Sequence, residues 1–279
     1  MEAAVSWPTR TITHWLYRLF LENPGAHRLL IQLYLGSEAF HHRFPWFNRP
    51  ELVADDELRL LMKQHFADED NHAKYFALAL TLKGDAVRPP PQHLDYLVNL
   101  AAAFWDAGIL VGESVEALTG PGLFTERQNL FVQLAFKDLS EKKAQADFHA
   151  WRDLAKARDP ETYAILRRVV EDEDWHVHIF DGQVAKMMAE PVHGPQLRAV
   201  YKKLIHINAR MSNAVGANVL DHMLDHDLLA VPRHERAAIR TLAALQRQAG
   251  GVLPVATATR FLALQSDYYQ RHQAVAAAS

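Results

Sequence analysis

The 279-residue chain contains no cysteine. This absence excludes disulfide bonds, thiolate-bound zinc, iron–sulfur clusters and a built-in rubredoxin-like iron site, because each of them needs cysteine sulfur. A chain without disulfides also fits a reducing compartment such as the cytosol. We therefore expect any redox chemistry to use other ligands and an electron donor outside the chain.

Long apolar runs and an excess of one charge are also missing. No apolar stretch reaches the 18 or so residues that a membrane-spanning helix needs. Residues 1–13 lack the basic and apolar regions of a signal peptide. The net charge is −3 without runs of like charge, so neither nucleic acid nor an anionic membrane is an expected partner. These features predict a cytoplasmic protein that binds neither.

Strand-like alternation is scarce, whereas helical periodicity runs through most of the chain. The 49% of apolar residues suffice for a large core. We expect an N-terminal helical extension over 1–25, a helical bundle over 26–190, and C-terminal helices over 191–279 that pack on the bundle within a single domain. Interruptions by proline and glycine predict helices over 10–22, 26–43, 55–83, 93–118, 125–157, 160–189, 196–229, 232–249 and 255–275.

The most informative feature that is present is a repeated phrase. Residues 68–72 and 172–176 both read Asp-Glu-Asp-x-His, and a phenylalanine follows each histidine four positions later. On a helix, residues three apart project from one face, so the glutamate and histidine of each phrase can hold the same metal ion. Two such helices that face each other can hold two ions, whereas two solvated helix faces are the alternative. The predicted ligands are Glu69, His72, Glu173 and His176.

Two metal ions need further carboxylates from the facing helices. Glu38 is the acid inside the preceding predicted helix, 31 residues before the first motif glutamate. Glu141 lies 32 residues before the second, at the matching level of its hairpin. Glu113 and Glu116 are alternatives to Glu141. The similar spacings predict two equivalent antiparallel hairpins, each with one further ligand.

This ligand order resembles that of the ferritin-like diiron-carboxylate superfamily. There a Glu or Asp, a Glu-x-x-His, a Glu and a second Glu-x-x-His follow each other in the same order. The 72 residues from Glu69 to Glu141 leave room for an extra helix, as in the oxygen-activating branch of monooxygenases, arylamine N-oxygenases, desaturases and ribonucleotide reductase small subunits. The resemblance covers about residues 26–190. It implies an all-α, ferritin-like four-helix bundle with an extra crossover helix and additional C-terminal helices.

The resemblance also implies a role for the aspartate before each motif glutamate. In the monooxygenase and reductase branches it accepts a hydrogen bond from the ligand histidine of the opposite helix. Transferred here, Asp68 orients His176 and Asp172 orients His72, which fixes the tautomer of each histidine. An exposed helix acid is the alternative for both aspartates.

Some positions depart from individual families. Phe76 stands where reductase small subunits carry a radical tyrosine, which disfavours a reductase subunit. Val169 stands where arylamine N-oxygenases carry a third histidine, whereas His65 holds the corresponding place in the first phrase. His65 is therefore a possible extra ligand, with a polar wall residue as the alternative. His41, three residues after Glu38, could also face the site.

The resemblance implies a non-haem diiron oxygenase or oxidase that activates dioxygen to hydroxylate or N-oxygenate a small organic substrate; desaturation is a variant of that chemistry. Two iron ions are the expected cofactor, and a manganese–iron pair suits the same ligands. A separate reductase or ferredoxin is the expected electron donor, and a homodimer is a further expectation. A rubrerythrin- or ferritin-like peroxidase or iron-binding protein is the alternative function, and a metal-free helical scaffold is a third.

Overall fold

The computed structural model describes residues 7–47, 49–119 and 127–270. Over these ranges the chain is helical and contains no strand, which confirms the all-α prediction. The α-helices are α1 (Trp7–Glu22), α2 (Pro24–Glu38), α3 (Phe40–Arg43), α4 (Asp56–Leu82), α5 (Tyr96–Asp106), α6 (Arg127–Ala155), α7 (Pro160–Met188), α8 (Gly194–Asp225), α9 (Arg233–Ala249) and α10 (Val255–Ala263). Short 3₁₀ turns occupy Pro50–Leu52, Gln92–Leu94 and Glu116–Thr119.

Capping side chains set the start of several helices. Asp55, Asp95 and Asp159 each accept a hydrogen bond from the backbone N–H three residues later, at the first turns of α4, α5 and α7. Such caps satisfy one of the N–H groups that a helix start leaves unpaired. Pro24 and Pro160 occupy first-turn positions, where the missing N–H costs nothing.

Three predicted helices differ from the structure. The prediction of one helix over 93–118 is wrong over its second half, because α5 ends at Asp106 and Gly108 adopts a left-handed φ of +65°. The helix predicted over 26–43 is divided between α2 and α3 at Ala39. The helix predicted over 255–275 stops at Ala263, and residues 271–275 lie outside the described residues.

Two helical hairpins position the candidate site. α2 packs against α4, α6 packs against α7, and α4 contacts α7 across the hairpins. α8 packs against α5, α6, α7 and α9. Along α4, α6 and α7, an apolar cluster lies on each side of the predicted ligands, represented by Met62, Leu134 and Phe180 on one side and by Phe76, Phe148 and Leu166 on the other. Among the described residues, no helix is long and apolar enough to cross a bilayer.

Candidate metal centre

The four helices of the two hairpins bring all six predicted ligands, and His65, into one buried region. His72, Glu173 and His176 are fully buried, and the other four residues are at most 7% exposed. On α4, the three contributing residues are separated by four and three positions, so their side chains share one helix face. The contributions are Glu38 from α2; His65, Glu69 and His72 from α4; Glu141 from α6; and Glu173 and His176 from α7.

These side chains form two groups. Within each group, all ligand atoms lie within 4.8 Å of one another. We call them the Glu38 cluster and the Glu141 cluster, and Glu69 belongs to both. As a carboxylate common to both groups, Glu69 would help to hold both ions. The Glu38 cluster is Glu38, Glu69, His72 and Glu173, and the Glu141 cluster is His65, Glu69, Glu141 and His176.

The inward nitrogen of each motif histidine is surrounded by carboxylate oxygens. His72 Nδ1 lies 3.1 Å from Glu38 Oε2 and 3.4 Å from Glu173 Oε1. His176 Nδ1 lies 3.6 Å from Glu141 Oε2 and 3.8 Å from Glu173 Oε1. Because Glu173 faces both nitrogens, it too lies within reach of both ligand groups.

Several inward atoms are buried without a hydrogen-bond partner. They are Glu69 Oε1, both carboxylate oxygens of Glu173, and His176 Nδ1. An unpaired buried carboxylate is costly, because burial removes its hydration without compensation. Two divalent cations would satisfy these atoms together, and the mixture of carboxylate and imidazole suits iron, manganese or zinc. The side chains that are present therefore fit a dinuclear metal centre.

The outward nitrogens of the same histidines contact aspartates on the opposite helix. His72 Nε2 lies 3.1 Å from Asp172 Oδ2, and His176 Nε2 lies 3.4 Å from Asp68 Oδ2. A carboxylate accepts the proton of Nε2 and thereby leaves Nδ1 of a neutral imidazole free to bind a metal. The geometry allows the orienting role of both aspartates, with the shorter contact at Asp172.

The buried carboxyl groups of the two clusters have pKa values that are shifted in different directions. Burial and the neighbouring carboxylates raise the pKa of Glu69 and of Glu173 well above the usual range. Burial alone would also raise the pKa of Glu141, but contacts with His65 and His176 hold it well below its usual range. Metal ions would compete with protons for the carboxylates of Glu69 and Glu173.

His65 contributes to the Glu141 cluster from one turn before Glu69. Its Nε2 lies 3.1 Å from Glu141 Oε1 and 3.5 Å from Glu69 Oε1. Burial, with Lys137 nearby, lowers its pKa well below the usual value, which favours the neutral ring that binds metal ions. Its geometry therefore suits a ligand as well as a wall residue.

The alternatives to Glu141 lie elsewhere. Glu113 is exposed, and Glu116 is exposed and paired with Arg260 at 2.7 Å. His41 lines a small cavity of about 30 Å³ beside Glu38, but its Nε2 contacts another carboxylate. Among the residues that the structure describes, Glu141, and neither Glu113 nor Glu116, therefore belongs to a ligand cluster.

A buried lysine at the site was not predicted. Lys137 is 7% exposed, and its Nζ lies 4.7 Å from the centroid of the Phe66 ring. Burial lowers its pKa, while Glu141 and Glu69 oppose that shift. The sequence feature that could have identified Lys137 is its position four residues before Glu141, which places both side chains on one helix face.

A cavity of about 660 Å³ adjoins the clusters. Glu38, Glu69 and Glu141 form part of its wall. Leucine and valine from α1, α2, α6 and α8 form part of the remaining wall, and polar side chains such as Lys142, Asp147 and Asn208 form another part. The volume lies within the range of sites that bind small organic molecules.

Comparisons with protein-family models, with curated proteins and with solved structures found no significant match. The family resemblance therefore rests on the motif residues.

Proposed function

We propose that the protein is a non-haem diiron oxygenase or oxidase that activates dioxygen to hydroxylate or N-oxygenate a small organic substrate. The observation that carries this proposal is the pair of buried ligand clusters that share Glu69 and have unpaired carboxylate oxygens. One ion would be held by the Glu38 cluster and the other by the Glu141 cluster. When bound, two iron ions, or a manganese–iron pair, supply the electrons that reduce dioxygen.

The arrangement of the helices supports a ferritin-like bundle. α2 with α4 and α6 with α7 pack as two hairpins, and α4 contacts α7. α5 lies in the connection between the hairpins, where the resemblance expects a crossover helix, and α8 to α10 follow as additional helices. Bundles of this kind place carboxylates and Glu-x-x-His pairs on inward faces.

The protein side chains bind the substrate and shield the site. The 660 Å³ cavity would hold an apolar substrate beside Glu38, Glu69 and Glu141. Its leucine and valine side chains would pack against the substrate, and Asp68 and Asp172 would hold the two imidazole rings. A small-molecule cavity at the clusters favours an oxygenase over iron storage, which requires no such cavity.

Anaerobic loading with ferrous iron tests the proposal. We expect two iron ions per chain by elemental analysis, and an antiferromagnetically coupled pair by Mössbauer spectroscopy after oxidation. With a chemical reductant, ¹⁸O₂ and a panel of small aromatic amines and hydrocarbons, we expect products that contain ¹⁸O. Growth of a ferric mineral without product would instead favour storage. A chain that holds no iron would contradict the dinuclear centre.

A further inference from the structure

Two adjacent histidines converge on one carboxylate outside the two clusters. His41 Nε2 lies 2.7 Å from Asp70 Oδ1, and His42 Nε2 contacts the same oxygen. The three ligand atoms lie within 4.8 Å of one another. Two imidazole nitrogens and one carboxylate oxygen form a common ligand set for zinc and other divalent transition metals.

His41 lies between two hydrogen-bond acceptors. Its Nδ1 is 3.2 Å from the backbone carbonyl of Glu38, and its Nε2 faces the Asp70 carboxylate. A neutral imidazole has one N–H, so it donates to only one of these acceptors. A metal ion on Nε2 satisfies the other side, and the Nδ1–H to carbonyl bond is the usual support of a metal-bound histidine.

Aromatic rings hold both histidines in place. The His41 ring stacks on Phe66, with an interplanar angle of 2° and 5.4 Å between centroids. The His42 ring stacks on Tyr268, with an angle of 10° and 5.6 Å between centroids. Rings whose orientation is fixed before binding lose less entropy when a metal binds.

The three side chains differ in exposure. The His41 side chain is 10% exposed, whereas the side chains of Asp70 and His42 are 36% and 41% exposed. A metal with three protein ligands on one side and solvent on the other keeps positions for water. Asp70 directly follows Glu69, so such an ion would lie beside the buried clusters.

We propose that His41, His42 and Asp70 form a third, solvent-open site for a divalent transition-metal ion such as Zn²⁺ or Co²⁺. Asp174 has the position in residues 172–176 that Asp70 has in residues 68–72, and it provides an internal comparison. Asp174 accepts hydrogen bonds from His149 Nε2 at 3.0 Å and from Gln145 Nε2 at 2.8 Å. Because an amide replaces the second imidazole there, we expect no third-site affinity at Asp174.

A Zn²⁺ titration of the chelator-treated protein against a competing dye tests this site. We expect three ions per wild-type chain and two in His42→Phe, a substitution that retains a ring for stacking on Tyr268. His149→Phe is the matched control and should retain three ions. Unchanged thermal melting of metal-free His42→Phe would show that the fold is intact. Equal Zn²⁺ stoichiometry and affinity in wild type and His42→Phe would overturn the proposal.

Glu69→Ala separates this site from the dinuclear centre, because it removes the carboxylate that both clusters share. We expect Glu69→Ala to bind one ion and Glu69→Ala/His42→Phe to bind none. With Co²⁺ as the probe, the remaining ion should give visible d–d absorption that disappears in the double variant. If Glu69→Ala retains three ions, the dinuclear assignment fails while the His42→Phe result still decides the third site.

Discussion

The two hairpins carry the same phrase but surround it differently. In the α2–α4 hairpin, His65 lies one turn before Glu69, and it joins the Glu141 cluster. In the α6–α7 hairpin, the corresponding residue is Val169, which is buried in the apolar core. The repeat thus sets the common ligand positions, and a residue one helical turn away makes the two clusters unequal.

This difference would give two bound ions different donor sets. The Glu38 cluster offers three carboxylates and one imidazole, whereas the Glu141 cluster offers two carboxylates and two imidazoles. Imidazole suits iron and zinc, and oxygen-rich sites suit manganese better. We expect the Glu141 cluster to retain iron more tightly, and manganese to replace iron first in the Glu38 cluster.

Removal of the shared carboxylate should have the largest effect. We expect Glu69→Ala to lose both ions of the dinuclear centre and all oxidation activity. Glu38→Ala is the comparison, because it removes a ligand from one cluster and should lose one ion. Elemental analysis of the iron-loaded variants measures both effects. Two tightly bound irons in Glu69→Ala would refute the shared-ligand arrangement.

Removal of His65 should make the two clusters more alike. We expect His65→Gln to weaken binding of the ion in the Glu141 cluster by at least the roughly 10-fold that loss of a ligand's hydrogen-bond partner costs, and to leave the Glu38 cluster unchanged. Stepwise iron titration followed by Mössbauer spectroscopy distinguishes the two ions. If both ions retain wild-type affinity, His65 is a wall residue rather than a ligand.

The orienting aspartates should have smaller and unequal effects. Loss of a hydrogen bond to a metal-bound histidine commonly lowers metal affinity or activity by about 10- to 100-fold. We expect Asp172→Asn to have the greater effect, since its contact with His72 is 3.1 Å, against 3.4 Å between Asp68 and His176. Iron affinity and turnover of both variants measure this. Wild-type values in both variants would remove the orienting role.

The helix caps should show the smallest effect, on stability alone. Asp55→Ala removes the cap of α4, and we expect a loss of about 1 kcal/mol in the free energy of unfolding. Asp159→Ala should cost more, up to about 2 kcal/mol, because Asp159 caps α7 and also pairs with Lys83 Nζ at 2.6 Å. Urea denaturation of the metal-free variants provides the comparison, and an equal loss in both would contradict it.

Local sequence patterns predicted which side chains lie together, but they did not predict the end of α5 or the cavity. The repeated phrase and the hairpin spacing selected Glu38 and Glu141, and the structure places both beside the motif residues. The end of α5 was missed because the left-handed conformation at Gly108 interrupts a sequence with helical periodicity. The 660 Å³ cavity was also missed, since its walls come from helices distant in sequence. Such packing depends on tertiary contacts that no local pattern specifies.

The division of ligands between hairpins has a consequence for folding. Each cluster takes side chains from both hairpins, so neither hairpin contains a complete set. Four residues, 156–159, join α6 to α7, whereas residues 39–55 separate α2 from α4. Shorter closures form faster, so we expect α6 and α7 to associate first. Metal ions would then act on the docking step, and a chelator would favour the undocked hairpins without changing any helix itself.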